Sequence, residues 1–119
     1  MKNISELTVG LQEFHGTELW YKHQTSLIHY TDGIKYLAEN ADCYWLIDLV
    51  ASYQVENRVK NEPFQVFHLK VNENKTAKIT ISDGNDNILA VQEIEYSDFP
   101  LPEITVWCVD KIMLLPGEY

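Results

Sequence analysis

The residues in this 119-residue chain whose types could do chemistry are four histidines, two cysteines and a set of carboxylates lying close to aromatic rings. His15, His23, His29 and His68 are the first test for a bound metal. Their separations of 8, 6 and 39 residues match no compact ligand motif, and neither HExxH nor CxxC accompanies them. We therefore expect no metal ligands and no cofactor, with the imidazoles facing solvent or hydrogen-bonded within the fold.

Cys43 falls where a helix should begin, and unsatisfied amides there can stabilise a thiolate nucleophile. It also shares a stripe with Leu46 and Val50, and no histidine stands near it in the sequence, so a buried inert thiol is expected. Cys108, between Trp107 and Val109, reads as sheet core. The run DGNDN, residues 83–87, offers oxygens at alternate positions as a calcium loop does. Such a loop needs Gly at its sixth position and Glu at its twelfth, and Ile88 and Ile94 stand there, so a hairpin turn is expected instead.

The most suggestive group combines Trp20, Tyr21, His23, Tyr30, Asp32, Lys35, Trp45 and Asp48, with Tyr36 beside them. Aromatic rings with polar tips next to fixed charges give a binding site both contact area and oriented hydrogen bonds. These eight are the candidate binding residues, with packing at the rim of the core as the alternative. No catalytic residue is assigned.

The elements that would position them follow from periodicity. Asn3 and Glu6 have capping-box spacing, and Ile4, Leu7, Leu11 and Phe14 recur at helical intervals, predicting a helix over 4–14 closed by Gly16. Residues 17–30 have no clean period and read as irregular or briefly extended. Thr31 and Asp32 cap a helix whose face is Ile34, Leu37, Ala38 and Ala41 and which ends near Asn40. Asp42 is then expected to cap a third helix, with Cys43, Leu46, Leu49, Val50 and Tyr53 as its apolar stripe.

After Pro63 the period changes to that of strands: 64–71, 77–82, where Ala77, Ile79 and Ile81 alternate with Lys78, Thr80 and Ser82, then 88–96 and 103–109. Turns are predicted at 72–75 and 83–87. Pro100 and Pro102 exclude a central strand between the last two, and Ile112 to Leu115 reads as a closing edge strand. The expected fold is α+β: N-terminal helices packed on one face of a four- to five-stranded antiparallel β-meander. One domain is expected over 1–119, mainly helical to residue 60 and mainly sheet from 61.

Apolar residues make up 45% and charged residues 23% of the chain, ordinary for a globular protein. The net charge of −9 disfavours direct contact with nucleic acid or anionic lipid. Acidity leans towards the second half, with 5 basic and 8 acidic residues up to position 60 and 4 and 10 after it. No apolar run is long enough to span a bilayer or serve as a signal, and two distant cysteines suit reduced thiols, so a cytoplasmic location is expected.

The stretch YTDGIKYLAENADCYWLIDLVAS, with GTELWYKH before it and FQVFHLKV, YSDFPLPEITVW and IMLLPGEY after it, resembles a family of small bacterial and phage proteins known as a domain of unknown function. The resemblance runs over almost the whole chain. It implies a stand-alone cytoplasmic protein of a mobile element or its host, and carries no activity and no catalytic residue.

The expected function is that of a non-catalytic binding or interaction protein, an accessory of a mobile element, whose partner is a protein or a small ligand, with self-association as a further outcome. One alternative is a small hydrolase or transferase using Asp32, either His23 or His29, and Asp48, with or without a metal. Another is an acidic mimic of nucleic acid, which would align carboxylates in rows at phosphate-like spacing.

Overall fold

The computed structural model of the protein describes residues 4–13 and 20–119. Helix α1, Ile4–Gln12, buries Leu7 completely. Asn3 of the expected capping box, and Phe14 and Gly16 at the expected end of this helix, lie outside the described residues. Strands β1, Trp20–Lys22, and β2, His29–Thr31, form a hairpin, followed by α2, Asp32–Asn40, and α3, Tyr44–Tyr53. Strands β3, Phe64–Val71, β4, Ala77–Ser82, β5, Ile88–Ile94, β6, Glu103–Val109, and β7, Ile112–Leu114, precede a short 3-10 helix at Pro116–Glu118.

Helix α2 starts where its sequence signals place it. The Thr31 hydroxyl accepts the Ile34 amide at 3.2 Å, and Ile34, Leu37, Ala38 and Ala41 are buried. A second cap comes from the far end of the chain. The buried Glu118 carboxylate accepts the Thr31 hydroxyl at 2.7 Å and the Leu115 amide at 2.9 Å through Oε1, and the Gly33 amide at 3.3 Å through Oε2. Gly33 leaves room for this carboxylate, because a β-carbon there would stand 2.5 Å from Glu118 Oε1 and have to displace it.

The expected cap of α3 is corrected. Asp42 takes a left-handed conformation, φ 52°, that reverses the chain between the two helices, and Cys43 occupies the N-cap with no side-chain bond to the helix. Its Sγ donates backwards instead, to Leu37 O at 3.6 Å.

The architecture is α+β, but the expected four- to five-stranded antiparallel meander is corrected to a seven-stranded mixed sheet among the described residues, in the order β1-β2-β7-β6-β3-β4-β5. Only β3, β4 and β5 form a meander. The proline-containing connection after β5 is held along the end of the sheet by Ser97 N to Lys75 O and Val71 N to Pro102 O, both 2.8 Å, and so delivers β6 beside β3. Asp110 and Lys111, with φ 50° and 68°, turn the chain into β7 in a tight two-residue hairpin. The expected edge strand β7 is internal, since β2 adds to it in parallel through His29↔Ile112 and Tyr30↔Met113. Three-residue strands carry too little alternation to be read from sequence.

Alternation gives the sheet two unlike faces. Gln65, Phe67 and Leu69 of β3, with their partners Cys108, Val106 and Ile104 on β6, point into the cluster that also holds Leu7, Leu37, Leu46 and Val50 of the helices. Phe64, Val66 and His68, with Val109, Trp107 and Thr105, point the other way and stay half-exposed. Under α3, Gln54 and Gln65 exchange paired amide bonds at 2.8 and 3.1 Å, and Lys111 Nζ donates to Gln54 Oε1 at 2.7 Å. Gln65 also donates to Val59 O and Glu62 O, so one buried carboxamide ties the irregular 54–63 segment to the sheet.

Candidate functional site

Five of the eight candidate residues fall into two contacts. Tyr21 and Tyr30, direct partners across β1 and β2, stack with centroids 5.6 Å apart and planes 26° apart. Lys35 Nζ lies 4.4 Å above the Tyr21 ring and 3.8 Å from Glu39, whose Oε1 also accepts the Tyr44 hydroxyl at 3.3 Å. The second contact is His23 with Asp48, Nε2 to Oδ1 at 2.7 Å.

Trp20, Asp32 and Trp45 are not part of either contact. Trp20 neighbours Tyr21 in the strand and so faces the opposite side, 58% exposed. Asp32 is the first residue of α2, with Oδ1 buried and unpartnered among the described residues, and Trp45 packs half-buried against the core. The cavities walled by Leu11 and Leu101, by Val9 and Tyr36, by Phe64 and Trp107, and by Asn72 and Glu93 take none of the eight candidates into their linings.

His23 carries the arrangement closest to a reaction. Its Nδ1 lies 2.7 Å from Thr25 Oγ1 and accepts the Thr25 amide at 3.2 Å, which places the ring proton on Nε2, donated to Asp48. Hydroxyl, imidazole and carboxylate thus stand in the sequence used by nucleophilic hydrolases. The amides that could receive an oxyanion are already committed: Thr25 N to His23 Nδ1, Ser26 N to His23 O at 2.8 Å, and Leu27 N to Thr25 Oγ1 at 3.2 Å. Asp48 is also 62% exposed, where water competes for it. The array fastens a tight loop, with Ser26 at φ 64°, onto α3.

Nucleophilic and metal chemistry find little elsewhere. Burial pushes the Cys43 thiol up to about 12, reinforced by the nearby Asp42 carboxylate, and burial likewise raises Cys108 to about 12 against the opposing pull of Lys111. Both remain thiols at neutral pH. Among the described residues no three of His, Cys, Asp and Glu gather to hold a metal ion. His15 lies outside them, His29 is exposed, and His68 sits 3.4 Å from Glu103 on the open sheet face. The DGNDN run is a turn whose Asp83 accepts Asn85 N and Asn87 Nδ2, both at 2.8 Å.

The feature that the sequence did not single out is the open face itself. Phe64 and Trp107 pack at 4.9 Å, and Tyr119 meets both edge-on, at 5.8 and 5.5 Å. Beside them Phe64, Val66, Ile88 and Trp107 wall a cavity of about 530 Å3 that is completed by Ser82, Gly84 and Asp86 of the following turn. Ile88 and Val91 extend the apolar surface along β5, 58% and 48% exposed. One signal did exist: FQVFHLKV is apolar on both faces, Phe64 and Val66 against Phe67 and Leu69, more than helices on one side can cover.

Among the described residues no helix is long and apolar enough to cross a membrane. The model of a family of unknown function (DUF6876) matches residues 5–119, and the chain belongs to that family. No curated protein and no solved structure matches it.

Proposed function

Given this membership, we propose that the chain is a non-catalytic interaction protein of the cytoplasm, of bacterial or phage origin and an accessory of a mobile element or its host, that engages another protein through the open face of its sheet. The observation that carries this reading is the surface aromatic group of half-exposed Phe64 and Trp107 with the exposed Tyr119. Large rings ordinarily go to the core; kept at the surface beside further apolar groups, they supply the few contacts that dominate binding between proteins.

The hydrolase alternative is favoured by the two 2.7 Å contacts of His23 and disfavoured by the committed amides around Thr25. The nucleic-acid mimic fares worse, because cross-strand pairs on the sheet set Lys70 against Glu103 and Lys78 against Glu93 rather than aligning carboxylates in rows.

Affinity capture from the native host separates these readings when run with wild type, Trp107→Ala and Asp48→Asn, each checked for fold by circular dichroism. The proposal expects one specific partner to be lost with Trp107→Ala and kept with Asp48→Asn. Retention by Trp107→Ala, or loss only with Asp48→Asn, would remove the sheet face from the account.

A further inference from the structure

We infer that the cavity beside the Phe64–Trp107 pair receives a cationic side chain, a lysine or arginine of the partner protein. This rests on the proposed use of the open sheet face and adds the chemistry of what enters it.

The cavity walls are two aromatic rings and two aliphatic side chains, Val66 and Ile88, which suit both the face of a cation and its hydrocarbon stem. The polar side of the lining comes from Ser82 and Asp86. Asp86 holds the left-handed conformation, φ 67°, and its carboxylate engages no other group among the described residues. Its neighbour Asp83 differs: hydrogen bonds from Asn87 and the Asn85 amide consume its carboxylate and hold it below the usual carboxylate range. Asp83 therefore builds the turn, and Asp86 is the charge left over at the cavity.

Charge decides which ligand fits. A neutral apolar group seated here would give the exposed Asp86 carboxylate no counter-charge, and an anion would be repelled. A cation meets the carboxylate and the ring faces together. Among the described residues no lysine or arginine lines the cavity, and the net charge of −9 favours a basic partner. Gly84, at φ 84°, lies close against the aromatic wall, since a β-carbon there would stand 3.3 Å from the Phe64 ring.

The probe is an arginine-centred pentapeptide of otherwise glycine residues, compared with its citrulline and norleucine counterparts by amide and indole chemical shifts of the labelled protein. The arginine peptide should shift Gly84, Asp86, Ile88 and the Trp107 indole saturably, and citrulline should bind about fivefold more weakly, as for one partly exposed charge-assisted contact. Asp86→Asn, which suits the same left-handed conformation, should erase the difference between arginine and citrulline. Equal binding of the three peptides, shifts confined to other surfaces, or no saturable shift would overturn the cation site. Capture of a partner through Trp107 is read separately, so the two proposals can fail independently.

Discussion

The Phe64 ring packs diagonally against Trp107 of the neighbouring strand, 4.9 Å between centroids and 56° between planes, on the side of the sheet away from the helices. The pair therefore adds to the sheet without belonging to the core. Trp107→Ala should lower stability by about 1–2 kcal/mol, less than the 3–5 expected for a fully buried tryptophan. Urea denaturation followed by circular dichroism measures it, and a loss above 3 kcal/mol would place the ring in the core.

Glu118 joins the last turn of the chain to the start of α2. Gly33→Ala would drive a methyl group into its carboxylate and should cost about 2 kcal/mol, the range for overpacking a filled site. Glu118→Ala should cost about 1–3 kcal/mol, because the Thr31 hydroxyl and the Gly33 and Leu115 amides lose their acceptor. If the two changes act on one contact, the double variant will lose less than the sum, readable in the same denaturation curves.

Gln65 is 1% exposed and bonds Gln54, Val59 O and Glu62 O. Gln65→Leu should destabilise by about 3 kcal/mol, since it leaves several buried polar groups unpaired. Proton exchange at 54–63 should quicken more than exchange within β4. Uniform quickening would show that the carboxamide does not specifically hold that segment.

The thiols give a pH dependence. Both have an ordinary value near 9, raised to about 12 in the folded protein by burial. The folded state thus holds its protons longer than the unfolded chain, so this contribution is complete below pH 9 and is lost as pH rises from there towards 12. Neither thiol should react with a disulfide reagent at pH 8 without denaturant, and both should react once unfolded. Rapid labelling of the native protein would contradict the burial of Cys43 and Cys108.

What the sequence disclosed was local. The Thr31 cap, the Ile34–Leu37–Ala38–Ala41 face and the alternation through 77–82 mark α2 and β4 because each signal lies within a few residues of what it specifies. The parallel pairing of β2 with β7 joins segments some eighty residues apart through strands of three residues, and no period survives at that length. Charge and ring type picked out Tyr21, Tyr30, Lys35, His23 and Asp48, whose contacts the structure resolves into a stack and a pair. Which face of the sheet lacked a cover depended on helix placement, so the Phe64–Trp107 surface was hidden although both residues were in plain view.

Site-specific photo-crosslinking in the native host tests the binding surface most directly. A photoreactive residue at Val66 or Ile88, on the open face, should trap one partner protein, and the same residue at Lys35 or Ser52, on the helical side, should trap none. Crosslinks from Lys35 or Ser52 alone, or equally from all four positions, would contradict the assignment of binding to the open sheet face.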